Sequence, residues 1–331
     1  MWYQIFKPKQ AFSSVVLFLL ISACNSPFTQ VKETTVEAEP AVAVQAPQQE
    51  STWEQAYGEA QDTQENALGE ISPENEAVHE AQVTAAPITD LWQRIREGYG
   101  IEQTQLHNKT QKQLSWFVKH PDYMARVVER ARQYLHHIVT EIEQRNMPLE
   151  IALLPVVESG FQPFAYSHGR AAGLWQFIPG TGKVYGLEQN WWYDGRRDVI
   201  ESTRAALDYL EKLHNDFGDW QLALAAYNCG EGTVGRAIRR NKKAGKDTDF
   251  WSLDLPKETS AYVPKLMAVA HLIKQADHYN LSLSPIDNAP YLAIVETGSQ
   301  IDLALAAKLA DSTSDEIYKL NPGFNRWATR P

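Results

Sequence analysis

Glu158 closes the run Ile151-Ala-Leu-Leu-Pro-Val-Val-Glu158 and is followed by Ser159 and Gly160. A carboxyl at the end of an apolar stretch loses hydration. Desolvation opposes ionisation, so this group is expected to keep its proton to higher pH than a free glutamate. A protonated carboxyl in a cleft can donate to a leaving-group oxygen, and the carboxylate left behind can then accept a proton. The competing reading is a glutamate whose head reaches water past a helix end, the common fate of an isolated glutamate. The downstream residues weigh against it. Gly173-Leu174-Trp175-Gln176 and Ala226-Tyr227-Asn228, the latter followed by Cys229-Gly230-Glu231-Gly232, complete an ordered set with Glu158-Ser159. Ser167 lies nine residues after Glu158, and Gln176 nine further on.

This set resembles the soluble-lytic-transglycosylase fold family, a branch of the lysozyme-like superfamily. The resemblance spans roughly 147–279. It implies a mainly α domain that cleaves the β-1,4 bond between N-acetylmuramic acid and N-acetylglucosamine in peptidoglycan. It also implies roles. Glu158 would protonate the bridging oxygen and then remove the C6 hydroxyl proton as that hydroxyl attacks C1, leaving a 1,6-anhydro sugar without consuming water. Ser167 would bond the muramoyl sugar near its acetamido group, and Gln176 would line the cleft. Tyr227 would place its hydroxyl near the acid, and Asn228 would hold the loop or contact sugar. Tyr262, within Glu258-Thr-Ser-Ala-Tyr262-Val, would also point into the site. Each tyrosine has a plainer reading as a core residue with one satisfied hydroxyl.

Two residues depart from the family pattern. Trp175 stands where methionine is usual, and its indole is expected to stack on a sugar or fill the core. Cys229 stands where alanine or serine is usual. Ordinary glycoside hydrolysis needs two carboxylates at a set separation. No second acid near Glu158 stands out. Asp194 and Asp198 flank a paired-arginine turn and read as helix caps or ion-pair partners. The alternatives are a true muramidase on the same fold and a non-catalytic peptidoglycan-binding lipoprotein.

The elements that must position these residues read as helices. Leu91, Trp92, Ile95 and Tyr99 recur at helical spacing. Met124, Val127, Val128, Ala131, Leu135, Ile138, Val139 and Ile142 lie on one stripe, which predicts one long amphipathic helix from Pro121 to about Asn146. Pro148 opens the helix that carries Glu158, with Pro155 inside it as a bend or boundary. Further helices are expected near 198–214, 219–229, 231–242 and 258–279. After Pro285 a strand at 291–296 and short helices at 302–310 and 314–320 resemble a degenerate LysM module. An equally good reading is a helical appendage packed on the preceding domain.

The chain of 331 residues carries a net charge of −10, but unevenly. Residues 25–90 hold thirteen acids against one base, whereas 91–331 hold 28 of each. No domain has the basic excess of a nucleic-acid binder. Lys7 and Lys9 precede an apolar run from Ala11 to Ala23, too short to span a bilayer and suited to a signal peptide. It ends Leu20-Ile21-Ser22-Ala23-Cys24, which resembles a lipobox. Cys24 would then carry lipid, and Asn25 would favour the outer membrane, with the protein facing the periplasm. The expected divisions are a leader at 1–24, an acidic disordered linker at 25–89, the transglycosylase-like domain at 90–285 and a partial LysM-like segment at 286–331. No cofactor is expected, and no metal, because His136, His137 and His168 lack ligand spacing. A monomer is expected, with glycan strands and a membrane as partners. Trp191-Trp192-Tyr193 would stack on sugar rings or pack in the core, and Arg239–Lys243 reads as a solvated basic helix end.

Overall fold

The computed structural model describes residues 3–6, 88–101 and 106–331. The expected leader with Cys24 and the acidic linker therefore lie outside the described residues, apart from the backbone of 3–6 and residues 88 and 89. Between Asp90 and Pro285 the regular elements are helical. Helices α1 (Leu91–Glu97), α2 (Asn108–Lys119), α3 (Pro121–Ala131) and α4 (Leu135–Gln144) come first. A 3-10 turn, Leu149–Leu153, then runs into α5 (Leu154–Glu158). Helices α6 (Pro179–Val184), α7 (Val199–Phe217), α8 (Trp220–Cys229), α9 (Glu231–Lys243) and α10 (Lys257–Lys274) complete the domain. No helix among the described residues is long and apolar enough to cross a membrane.

The long helix expected from Pro121 to Asn146 is two helices. Residues 132–134 form a turn in which the Tyr134 N–H bonds back to the Ala131 carbonyl at 2.9 Å. Ala131 and Leu135 still face the core, so the apolar stripe runs through the break unchanged. Periodicity alone cannot register a turn that preserves the buried face. The segment carrying Glu158 is likewise divided. Pro155 occupies the first turn of α5, where its missing N–H costs nothing, so it marks a boundary rather than a kink.

The core gathers around α10, which is apolar along most of its length and packs against α2, α8 and the segment ending in Glu158. Helices α7 and α8 form the other main contact. Asp198 and Asp219 cap them by accepting the N–H of Glu201 and Leu222 at 2.9 and 2.7 Å. Trp175 is fully buried and donates its indole N–H to Thr203 Oγ1 at 3.0 Å. It therefore fills the core, and the sugar-stacking option for it is excluded. Truncating it to alanine would cost about 3–5 kcal/mol.

The tail gathers a small apolar cluster of its own. Strand β2 (Ala293–Glu296) pairs antiparallel with β1 (Tyr3–Phe6), which lies within the expected leader. Helices α11 (Leu303–Leu309) and α12 (Ser314–Leu320) follow and enclose Leu303, Ala307 and Ile317 with Phe324. The end of the chain returns along 301–303, where the Leu303 N–H bonds the Trp327 carbonyl at 2.7 Å. The tail is fastened to the helical domain. The N–H groups of Asp194 and Asn325 bond the carbonyls of Gly323 and Trp192, each at 2.8 Å, and Arg330 pairs with Glu188.

Candidate active site

Helix α5 ends at Glu158 because Ser159 leaves the helical region and Gly160 takes φ +58°. Ser159 then ties this end to the next motif, its hydroxyl donating to the Leu174 carbonyl at 3.0 Å. The loop between is held by backbone bonds, with Gly173 N–H on the Ala165 carbonyl at 3.0 Å. Gly173 has φ +84°, and a Cβ there would lie 1.8 Å from the Arg196 carbonyl oxygen. Only glycine fits on both counts. Arg196 is itself pinned, pairing with Asp194 at 2.7 Å and donating to the Arg170 carbonyl at 2.7 Å. Asp194 and Asp198 are thus an ion-pair partner and a cap.

The side chain of Glu158 is half-buried, but its carboxyl is packed deeply. Burial pushes its pKa up to about 7, opposed by a hydrogen bond from Tyr262 and by the Lys265 charge, and assisted by the like charge of Glu258. The Tyr262 hydroxyl donates to Glu158 Oε1. Tyr262 reaches it from α10, the helix packed against α5. Glu258, Tyr262 and Lys265 stand four and three residues apart and so share one face of α10. Burial pushes the Lys265 ammonium down to about 8, and the two glutamates oppose that fall. Lys265 and Glu258 were not legible as site residues in the sequence. The signal available was their helical spacing around Tyr262.

Tyr227 projects from the last turn of α8. Burial raises its pKa well above the usual phenol value, and the Glu158 charge adds to the rise. Its hydroxyl, however, donates to the Trp175 carbonyl at 2.8 Å. Asn228 clasps the start of α10. It accepts from the Thr259 hydroxyl at 2.7 Å and donates to Glu258 at 3.3 Å. Gln176, at φ +48°, donates to the Gly173 carbonyl at 2.9 Å and so braces its own loop. Ser167 accepts the Ala171 N–H at 3.0 Å and closes the exposed turn 167–171. The structure thus brings Glu158, Tyr262 and Tyr227 together, with Lys265 and Glu258 beside them. Ser167, Gln176 and Asn228 are engaged with the loops and helix ends that frame this group. Cys229 is a free thiol.

A proton-holding carboxyl fed by a tyrosine and flanked by opposing charges can perform acid–base chemistry. Residues 138–250 match the family model of the transglycosylase SLT domain. The chain belongs to this SLT transglycosylase family. Within it, the chain is similar to membrane-bound lytic murein transglycosylase D of Escherichia coli (strain K12). The two are 42% identical over 241 residues, which is 72% of this chain and 53% of that protein. The chain thus spans about half the length of that curated relative. It is also 43% identical over 167 residues to a protein of Alteromonas sp. (strain M-1) named for tributyltin chloride resistance, covering 50% of this chain and 79% of that one. A third relative is membrane-bound lytic murein transglycosylase F of Desulfosudis oleivorans, 34% identical over 108 residues, or 30% of this chain and 22% of that one.

Proposed function

We propose that the protein is a lytic transglycosylase that cleaves the β-1,4 bond between N-acetylmuramic acid and N-acetylglucosamine and releases 1,6-anhydromuramoyl ends. The observation that carries this reading is the Glu158 carboxyl, held near neutral pKa by burial and hydrogen-bonded by Tyr262. Half-protonated near neutrality, it is suited to protonate the bridging oxygen and then, as a carboxylate, take the C6 hydroxyl proton. One group serves both steps, so no partner carboxylate is required. Tyr262 steadies the carboxylate between them. Tyr227 exchanges its bond to the Trp175 carbonyl for the substrate, and Ser167, Gln176 and Asn228 border the sugar.

The names of the relatives support peptidoglycan as substrate and the cell envelope as location. In this reading Cys24 carries the lipid, residues 25–89 tether the domain, and the enzyme works in wall turnover from the outer membrane. Removal of the leader would take β1 with it and free that edge of β2. The order β2–α11–α12 is compatible with a partial LysM-like segment at 286–331.

Glu258 favours one second reading. It is a second acid whose charge reaches Glu158, so a water-adding muramidase is the rival. Two facts weigh against it: Glu258 is exposed, and Asn228 donates to it. Product mass separates the two readings. Sacculi digested by the protein are expected to yield anhydro-muropeptides, one water lighter than hydrolytic products. Reducing-end products alone would refute the cyclising mechanism, and intact sacculi would refute both enzymes.

A further inference from the structure

Within the run Trp191-Trp192-Tyr193, the structure separates a surface role from a core role. Tyr193 is buried, but Trp191 keeps 55% of its surface open and Trp192 is half-buried. The tail adds Trp327, which is 58% open. The three indoles form one cluster. Trp191 meets Trp192 edge-on at 4.6 Å and 88°, and Trp327 meets Trp191 at 6.3 Å and 89° and Trp192 at 6.1 Å and 63°. The Arg326 guanidinium lies 3.9 Å from the Trp191 ring centre.

Large indoles left this open cost hydration, and a cluster of them marks a binding surface more often than chance exposure. This cluster is also rigid. Asn190 Oδ1 accepts the N–H groups of Trp192 and Tyr193, both at 2.8 Å. Asn325 binds back to the same loop, donating its amide to the Asn190 carbonyl at 3.0 Å while its oxygen accepts from Arg197. Rings held in advance lose little freedom when a ligand arrives.

We propose that Trp191, Trp192 and Trp327, with Arg326, form a second glycan-binding platform that retains peptidoglycan strands. Two of the indole pairs meet near right angles and the third at 63°, so the cluster presents ring faces and edges in several planes rather than one flat sheet. Exposed ring faces suit the C–H faces of pyranose rings, whereas a flat protein or lipid surface would meet only part of the cluster. The Arg326 guanidinium, seated on one face of Trp191, is complementary to the carboxylates of a muramoyl strand and its stem peptides. The platform is built jointly by the 189–194 loop and the tail, which gives the tail's attachment a function. The inference rests on the peptidoglycan reading above.

The test is co-sedimentation of the full chain with purified sacculi, in a Glu158→Gln background so that nothing is cut. Trp191→Ala with Trp327→Ala is expected to weaken retention by about tenfold or more. Trp→Phe at both positions should keep most of it, and Val184→Ala, another exposed apolar side chain, should change nothing. If the alanine pair fails to fold, Trp327→Ala alone, near the chain end, is expected to weaken retention severalfold. Unchanged retention in a folded alanine variant would overturn the platform. So would loss of binding to anionic phospholipid vesicles with sacculus retention intact, because the patch would then be a membrane face. If cleavage of sacculi by the unsubstituted protein survives such a result, only the platform has failed. If sacculi are neither bound nor cut, the peptidoglycan reading fails with it.

Discussion

Two glutamates, Glu150 buried and Glu158 half-buried with its carboxyl desolvated, stand near opposite ends of the segment from Leu149 to Glu158, and they do different things. Glu150 is 2% exposed and accepts the backbone N–H groups of Gly100 and Ile101, each at 3.0 Å. Burial raises its pKa, and those two bonds oppose the rise. Its bonds stitch the segment after α1 to the 3-10 turn. Glu158 receives a hydroxyl from a mobile class of donor, a side chain, and feels Lys265 and Glu258 from the same helix. Burial alone therefore does not make an acid. A carboxylate taken up by backbone N–H groups is structural, whereas one partnered by side chains can exchange them for substrate.

The largest effect expected from this contrast is on activity at one end and stability at the other. Glu158→Gln should lower the initial rate of sacculus cleavage by about 10²–10⁴-fold. It should not lower the melting temperature. The Glu158 carboxyl titrates near 4.5 when unperturbed and at about 7 in the fold. Between those values the folded state holds the extra proton, so stability falls as pH rises through this window, and the cost is complete above it. Glutamine carries no such cost. Glu158→Gln should therefore melt higher than wild type above about pH 7, by an amount on the order of 1–3 kcal/mol, with the gap closing below about pH 4.5.

Glu150→Ala should do the reverse. It strands two N–H groups and empties a buried position, costing about 2–5 kcal/mol by denaturant titration. Activity per folded molecule at low temperature should stay near wild type. A catalytic loss without destabilisation would erase the distinction between the two residues.

Smaller effects concern the charges around Glu158. The acid must start protonated, so kcat/KM should fall as pH rises through about 7. Lys265 favours the carboxylate, and Lys265→Met should move that fall to higher pH. Glu258 disfavours it, and Glu258→Gln should move the fall to lower pH. Each shift should be roughly half to one pH unit. Rate profiles between about pH 5 and 9 measure both, and shifts in the same direction would contradict the assigned electrostatics.

Much of this site was legible because the chemistry sits in short local runs. Glu158 and most helices could be read from residue type and spacing, and the two motifs after it from the resemblance to a known family. Lys265 and Glu258 could not, because their approach to Glu158 depends on α10 packing back across about a hundred residues of chain. The sequence also offered Trp175 two fates, and only the packed core shows its indole on Thr203. Asn228 illustrates the same limit: it was placed at the sugar or the loop, and in the structure it holds the start of α10. The turn at 132–134 was hidden for the opposite reason, since it changes the backbone while keeping every apolar residue on its face.

Burial places the Glu158 carboxyl near neutrality while Tyr262 holds it. The direct measurement is a pH titration of that carboxyl by difference infrared spectroscopy, wild type minus Glu158→Gln. The structure predicts a midpoint at about 7. A midpoint near 4.5, the unperturbed value, would contradict it.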